Sequence, residues 1–376
     1  MEKELESCLL ERCSRDILSP SERTILSFAL SRDGITQAQL DSFLSDWDIE
    51  KAPIFNVMLL AYATARREDL VLPPSVGPRL KGVLQYCRFQ NLKKEAHFNR
   101  VAKALEEAGI PALILKGGAM KVYRPDFPRW MNDIDFLVPA ADYERAIGIA
   151  KGLGYGDPMA TDHSMDLRIP GSGEALLDIH KQLELCTGKD VFLNEPLFRR
   201  AWKQKVFSAD GLLPCPEDMV FISLVNLYKN LERRQTQESS VTTFFDIRFL
   251  VESTPSFRWE IVRENARLTG TGFQLALASR IVSGFLENVI PEDLCLPEPG
   301  QERAYRNFID GFLFHRDVLS TARDSFAGTR IGASLKTDYN IFSRTWSLVV
   351  KGIKRIVKIP ALMRLVLRMR YKNMES

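Results

Sequence analysis

The chain of 376 residues has few of the residues that build disulfide or zinc sites. Its six cysteines are scattered without a CxxC pair, and it has four histidines. A zinc site or a disulfide framework is therefore not expected, and a reducing compartment is the simpler setting. No apolar run approaches the roughly 20 residues that a membrane-spanning helix needs. The first residues, MEKELESCLLERCSRD, contain no uninterrupted apolar stretch of the kind found in secretory signals. We expect a cytoplasmic protein.

The composition is that of a folded globular protein, because apolar residues make up 45% of the chain and charged residues 26%. The net charge of +3 conceals an asymmetry. Residues 344–372 carry nine Lys or Arg and no Asp or Glu, so the rest of the chain stands at −6. Since the positive charge is confined to this segment, the overall charge does not indicate a nucleic-acid-binding core, and nucleic acid is not an expected partner.

The basic segment 344–372 is also amphipathic, with one apolar helical stripe opposite its lysines and arginines. Three interpretations stay open. The segment could make a peripheral contact with an anionic membrane, such as the inner membrane surface. It could contact RNA or an acidic partner. It could also be a helix packed on the acidic body, with its charges in water.

Apolar periodicity divides the chain into four regions: helices over 1–95, a small α/β core over 96–185, a second helical region over 186–340 and the basic tail over 341–376. The fold class that we predict is α+β, with a small mixed sheet flanked by N- and C-terminal helical regions. After Pro196 the pattern predicts that helices return. The elements expected from residue 80 to the end of the core are helices at 80–89 and 91–108, a strand at 111–115, a helix at 119–123, a strand at 133–138, a helix at 143–153 and a hairpin of 165–169 with 175–180.

Acidic side chains lie on the predicted strands of the core. Asp133 and Asp135 stand two residues apart, so a strand would project both carboxylates to one face, and Asp178 is placed in the same way on a later strand. Two such carboxylates can bridge two Mg²⁺ ions, with Mn²⁺ as an alternative, about 3.5–4 Å apart for displacement at phosphorus. Asp178 can complete one metal site and accept the proton of an attacking hydroxyl. We therefore expect Asp133, Asp135 and Asp178 to be both catalytic residues and metal ligands.

A phosphate-binding element precedes these carboxylates. Gly117 and Gly118 form a predicted tight turn that would let the backbone approach a polyphosphate, and the helix predicted to begin at Ala119 would offer free N–H groups. Lys116 and Arg129 are the nearest cations for neutralising phosphate charge. His180 shares the strand face of Asp178 and completes the set of predicted nucleotide-binding residues, although a histidine beside a carboxylate can also be structural.

The stretch from Ile110 to Leu183 resembles the DNA polymerase β-type nucleotidyltransferase superfamily, and more closely a bacterial family of uncharacterised nucleotidyltransferases found in biosynthetic gene clusters. The motifs that carry this resemblance are Leu115-Lys116-Gly117, Tyr123-Arg124-Pro125, Asp133-Ile134-Asp135-Phe136, Gly154-Tyr155 and Asp178-Ile179-His180. The resemblance continues into Pro216-Glu217-Asp218 and Phe245-Asp246-Ile247. It implies a divalent metal held by Asp133, Asp135 and Asp178, and a nucleoside triphosphate (NTP) as donor.

Two departures from the family pattern bear on function. The family usually has two histidines four residues apart after the Pro-Glu-Asp motif, where this chain has Asn226 and Asn230, and its third carboxylate is often Glu rather than Asp178. A catalytically silent nucleotide-binding scaffold and a phosphotransferase therefore stay open beside the nucleotidyltransferase. A DxD glycosyltransferase fits less well, because it explains neither Lys116 nor Asp178. The acceptor (a small molecule, a sugar, a peptide, a protein side chain or an RNA end) is not indicated.

Overall fold

A computed structural model describes residues 20–31, 33–47, 55–160, 163–168, 175–185, 193–232, 239–297 and 300. All of these residues belong to Met1–Arg306, the first of the two units into which the chain divides, and the second unit is Asn307–Ser376. The basic segment 344–372 lies outside the described residues, so its predicted partners stay predictions.

The described N-terminal region is helical, as predicted. Its elements are α1 (Pro20–Leu30), α2 (Gln37–Asp46), α3 (Phe55–Arg67) and α4 (Gly77–Glu107). α2 begins with a capping box, in which the side chain of Thr36 accepts from the Gln39 N–H and the Gln39 side chain accepts from the Thr36 N–H. This exchange satisfies two backbone donors that the first turn of the helix would otherwise leave without partners.

The predicted break between helices at 80–89 and 91–108 is wrong, because α4 is continuous over 31 residues. No proline or glycine lies between Val83 and Ala108 to interrupt it. Asn91, a polar residue near its middle, is buried and donates from Nδ2 to the carbonyl of Arg129 at 2.6 Å. α4 ends where predicted, since Gly109 follows it with φ +73°, the left-handed conformation that glycine adopts without strain.

A mixed sheet of seven described strands forms the core. Its strands are β1 (Leu113–Ile114), β2 (Ile134–Leu137), β3 (Gly156–Ala160), β4 (Ser164–Arg168), β5 (Ala175–His180), β6 (Trp202–Val206) and β7 (Ala209–Leu213). Their spatial order is β3-β4-β5-β2-β1-β7-β6. β2 and β5 are parallel, as are β1 and β7, and the other neighbouring pairs are antiparallel. The ring centroids of Phe98 in α4 and Phe136 in β2 lie 5.4 Å apart in an edge-to-face arrangement, so α4 packs on the centre of the sheet.

In and around the sheet, the structure differs from the sequence predictions at three places. The edge strand β3 and the hairpin of β6 and β7 were not predicted, and this hairpin lies within the region 186–340 that was predicted to be helical. The β6–β7 turn is Phe207-Ser208, with Phe207 at φ +57°, so it lacks the glycine or asparagine that usually signals such a turn. The helix α5 (Lys116–Tyr123) begins at Lys116, three residues before the predicted start, and α6 (Tyr143–Gly152) follows β2 as predicted.

Helices return after the sheet. They are α7 (Asn194–Arg200), α8 (Pro216–Glu232), α9 (Ser239–Ser253), α10 (Trp259–Thr269) and α11 (Gly272–Ser283). Asp218, at the start of α8, is fully buried and accepts from Arg200 at 2.6 Å and from Asn265 at 2.8 Å. The Asp of the Pro-Glu-Asp motif therefore ties α8 to α7 and α10. The predicted fold class, a mixed sheet flanked by helical regions, is confirmed.

Candidate active site

Asp135 and Asp178 lie side by side on the parallel strands β2 and β5, where they are register partners. Their chain neighbours are fully buried in the core: Ile134, Phe136, Leu177 and Ile179. Because side chains alternate along a strand, both carboxylates project to the opposite face of the sheet. The structure thus brings these two predicted residues together, 43 positions apart in sequence, through strand pairing.

His180 closes the group. Its Nε2 lies 3.0 Å from Oδ1 of Asp135 and 3.0 Å from Oδ2 of Asp178. Burial alone would lower the pKa of His180, but hydrogen bonds to the two carboxylates outweigh burial and raise it. One ligand atom from each of Asp135, Asp178 and His180 lies within 4.8 Å of the others, a spacing that one metal ion can bridge.

Lys116 supplies a second cation to the same carboxylate. Its Nζ lies 2.5 Å from Oδ1 of Asp135, and its backbone has φ +44° at the start of α5. A non-glycine residue in this left-handed region is uncommon and often marks a functional site. Burial lowers the pKa of Lys116, but the charge and hydrogen bond of Asp135, together with the charges of Asp133 and Asp178, outweigh burial and raise it. Burial acts in the opposite sense on Asp135, whose pKa is nevertheless held below its ordinary value by Lys116 and His180.

Asp133 stands just before β2, half-buried, and is not part of the group within 4.8 Å. Burial, and after it repulsion from Asp135 and Asp178, raises the pKa of Asp133 to about 7, although Lys116 opposes this. Asp133 therefore interacts electrostatically with the site, whereas His180 contacts Asp135 and Asp178 directly. The metal-ligand role of Asp133 stays a prediction.

Gly117 and Gly118 lie in the first turn of α5, not in a turn that precedes it. A Cβ on Gly118 would stand 2.7 Å from Cδ1 of Ile114, and one on Gly117 would stand 3.3 Å from Nε of Arg129. Close packing of α5 on the sheet is thus a sufficient reason for glycine at 118. The predicted phosphate contact of the two glycines stays a prediction.

Arg129 is directed at a carboxylate of the C-terminal region. Its Nη1 donates to both oxygens of Asp246 in α9, at 2.7 and 2.5 Å, and both side chains are largely buried. Asp246 belongs to the Phe245-Asp246-Ile247 motif, so this motif ties α9 to the core. The structure gives Arg129 this structural partner, and its predicted contact with phosphate stays a prediction.

A cavity of about 600 Å³ opens beside the carboxylates, between the sheet and α8. Sequence reasoning missed several of its polar residues, among them Asp166, which is the register partner of Asp178 on β4. The alternation of β4 could have indicated Asp166, because it places this carboxylate in line with Asp178. The other polar or charged lining residues are Lys116, His163, Ser164, Asp178, His180, Glu184, Asn226 and Lys229.

The residues present fit a divalent cation. Oδ1 of Asp178 is buried and has no hydrogen-bond partner among the described residues, so it is available as a ligand. Carboxylate oxygens are the ligands that Mg²⁺ prefers, and an imidazole nitrogen also suits Mn²⁺.

Within the part of the chain that the structure describes, no helix has the length and apolarity needed to cross a bilayer.

Comparison with known proteins shows the family to which this chain belongs. Residues 56–287 match the model of a family described as uncharacterised nucleotidyltransferases. The match covers more than half of the chain, so the chain belongs to this family, and the predicted membership in a family of uncharacterised nucleotidyltransferases is confirmed. No curated protein matches it significantly.

Similar solved structures include two of the antibiotic-resistance factor ANT(2'')-Ia. The solution structure has 16% identity and a TM-score of 0.35 and covers 47% of this chain and 92% of its own. The complex with adenylyl-2''-tobramycin has 14% identity and a TM-score of 0.27, with 51% and 97% covered. An antigenic nucleotidyltransferase-like protein from Paracoccidioides brasiliensis has 13% identity and a TM-score of 0.33, with 50% and 91% covered. These scores are too low for structural detail to be carried over.

Proposed function

We propose that this protein transfers a nucleoside monophosphate from an NTP to an acceptor in a metal-dependent reaction, as part of a bacterial biosynthetic pathway. The observation that carries the proposal is the convergence of Asp135, Asp178 and His180 beside Lys116, at the edge of a cavity of about 600 Å³. The site holds both a metal-binding group and a cation for the polyphosphate. Cytoplasmic action is part of this proposal.

Each residue has a separate task. Asp135 and Asp178 supply oxygen ligands, with Asp133 close enough to contribute charge. When bound, divalent ions neutralise the triphosphate and polarise the reacting phosphorus. Lys116, which pairs with Asp135 in the metal-free protein, would turn to the β- and γ-phosphates and keep its charge there, because its pKa is raised.

The reaction is a displacement at the α-phosphorus. A bond forms between an acceptor oxygen and this phosphorus, the α–β phosphoanhydride bond breaks, and pyrophosphate leaves with its electron pair. The proton of the acceptor hydroxyl passes to the carboxylate of Asp178. This step requires the acceptor to enter from the cavity that Asp178 lines.

The acceptor would occupy the far wall of the cavity, beside Glu184, Lys229 and Asn226. Nζ of Lys229 donates to Glu184 at 3.0 Å, and Glu184 also lies 3.5 Å from Nε2 of His163. A polar wall of this kind can orient hydroxyl groups on a small acceptor. We propose a small molecule, a sugar or a peptide as the acceptor class.

Calorimetric titration of each NTP with and without Mg²⁺ or Mn²⁺ tests the donor site. We expect metal-dependent binding that is lost in Asp135→Asn and Asp178→Asn and kept in Asp210→Asn, since Asp210 is an exposed residue paired with Lys205 on the β6–β7 hairpin. NTP binding that survives in both site variants would contradict the placement of the site. UDP-sugar binding without NTP binding would favour a glycosyltransferase.

Turnover separates an active enzyme from a silent scaffold. With the preferred NTP and a panel of acceptors, we expect release of pyrophosphate and an acceptor product heavier by one nucleoside monophosphate. A product that gains a single phosphoryl group would indicate a phosphotransferase. Lys116→Met should weaken NTP binding at least about tenfold, because it removes a charged donor to the phosphates, while metal binding without NTP strengthens, because Lys116 no longer competes for Asp135.

A further inference from the structure

A second cavity, of about 540 Å³, lies beyond the far end of α5 from the carboxylates. α5 begins at Lys116 in the candidate active site, and its eight residues span about 12 Å. Arg124 and the loop up to Pro128, which follow α5, line this second cavity together with residues of α1, α3, α4 and α9. Nucleotidyl transfer at Asp135 and Asp178 makes no use of it.

The wall of this cavity is strongly positive. Four arginines line it, Arg66, Arg67, Arg88 and Arg124, and Asp126 is the one acid among its described lining residues. At neutral pH these five side chains carry a net charge of +3, because guanidinium groups stay protonated. The four guanidinium groups repel one another, and an anion bound in the cavity would offset this repulsion because each of them attracts it.

Three of the four guanidinium groups have no acceptor in the described part of the chain. Arg67 donates to the carbonyl of Ala29 at 2.6 Å and to the carboxylate of Glu68. For Arg66, Arg88 and Arg124 the described residues supply neither a carboxylate nor a carbonyl as a hydrogen-bond partner, and the contacts of Arg124 are with aromatic rings. Their donors are therefore available to a ligand.

Arg124 shows why the protein itself does not complete the site. Its guanidinium lies over the rings of Phe127 and Phe245, at 4.4 and 4.7 Å from their centroids. Asp246 attracts it, but both oxygens of Asp246 already accept from Arg129. Burial lowers the pKa of Arg124, Asp246 opposes this, and the like charge of Arg67 adds to it. The aromatic rings thus hold a cation whose hydrogen-bond donors are not bound by Asp246, because Arg129 occupies that carboxylate.

We propose that this cavity binds an organic polyphosphate, with its phosphoryl oxygens on Arg66, Arg88 and Arg124 and its organic body against Phe127 and Phe245. A planar guanidinium matches two phosphoryl oxygens at once, which makes arginine the usual residue for phosphate recognition. A wall of +3 corresponds to the charge of a polyphosphate better than to that of a single carboxylate. Phe127 and Phe245, which stack on each other with their centroids 4.7 Å apart, provide apolar surface for the organic body.

Metal dependence distinguishes this site from the proposed donor site. The donor site requires a divalent cation on Asp135 and Asp178, whereas guanidinium groups bind phosphate directly. Binding to the arginine-lined cavity should therefore persist in EDTA and in Asp135→Asn. Loss of NTP turnover would not affect this inference, and absence of a ligand in this cavity would not affect the proposed transfer reaction.

The test is calorimetry of the full-length protein in EDTA, with pyrophosphate and ATP as probes, at two salt concentrations. Arg88→Gln is the informative variant, because Arg88 is exposed and its loss should not disturb folding. Arg100→Gln is the matched control, because Arg100 lies on the same helix α4 and is exposed, but does not line the cavity. We expect binding of both probes that weakens with salt, falls about tenfold in Arg88→Gln and is unchanged in Arg100→Gln.

Comparison of the two probes identifies the part of the ligand that is recognised. Tighter binding of ATP than of pyrophosphate supports contact of a nucleoside with Phe127 and Phe245, whereas equal affinity supports recognition of the phosphates alone. The proposal is overturned if neither probe binds in EDTA. It is also overturned if binding is as strong in the double variant Arg66→Gln/Arg88→Gln as in the unchanged protein, since the ligand would then lie elsewhere.

Discussion

Asp133→Asn should stabilise the metal-free protein while impairing its metal site. The pKa of Asp133 is raised from 3.8 to about 7 by burial and by repulsion from Asp135 and Asp178. Roughly three pH units at 1.36 kcal/mol each correspond to about 4 kcal/mol of unfavourable free energy for the ionised form. Because Asp133 is half-buried, water screens part of this, and we expect a gain of about 1–2 kcal/mol from the neutral amide.

The sign of this effect depends on pH. A carboxyl group whose pKa is raised in the folded state destabilises that state above its unfolded pKa, here 3.8, and the full penalty is present above about pH 7. The gain from Asp133→Asn should therefore be largest near pH 8 and vanish near pH 4. Differential scanning calorimetry in EDTA should show a Tm increase of about 1–3 °C at pH 8.

Addition of Mg²⁺ should reverse the ranking. A metal that binds the folded state stabilises it in proportion to the logarithm of its concentration, and this increment should be smaller in Asp133→Asn. Asp210→Asn provides the control, because this exposed residue should change neither quantity appreciably. The reasoning is refuted if Asp133→Asn lowers the Tm in EDTA at pH 8, or raises it equally at pH 4 and pH 8.

Two further predictions concern packing around the site. Gly118→Ala should cost about 1–3 kcal/mol of stability, because the new Cβ would stand 2.7 Å from Ile114 and push α5 off the sheet. Gly148→Ala in α6 is the control, since a Cβ there would have no atom within 4 Å, and it should be neutral or stabilising. Urea titration of the two variants compares their free energies of unfolding. Arg129→Met should cost about 3 kcal/mol by leaving Asp246 buried without its partner, and a Tm equal to that of the unchanged protein would contradict this.

The face shared by Asp135, Asp178 and His180 could be predicted from sequence, because it depends on local alternation alone. Apolar neighbours on both sides of each aspartate fix which way the carboxylate projects once a strand forms. Parallel pairing of β2 with β5 then sets the two aspartates level with each other. The end of α4 at Gly109 was predictable for a similar reason, since the conformation there is a local property of glycine.

Features that depend on distant partners could not be predicted in this way. Arg129 and Asp246 are 117 positions apart, and no local pattern links them. The β6–β7 hairpin has a Phe-Ser turn without the usual turn residues, so the sequence pattern predicts a helical region there. The site follows the same division. The sequence identifies the carboxylates on the strands. It does not identify the cavity wall, because α8 and the loop after β5 complete that wall.

The substitutions at Asn226 and Asn230 affect the site unequally. Asn226 lines the cavity beside Asp178, and Asn230, one turn further along α8, is not among the described lining residues. An amide at 226 removes a titratable ring from the acceptor side, yet Asp135, Asp178, His180 and Lys116 all keep the contacts that metal and phosphate binding need. A silent scaffold has no requirement for that complete set. We therefore expect an active enzyme whose acceptor recognition relies on Glu184 and Lys229 in place of the histidines that the family resemblance implies.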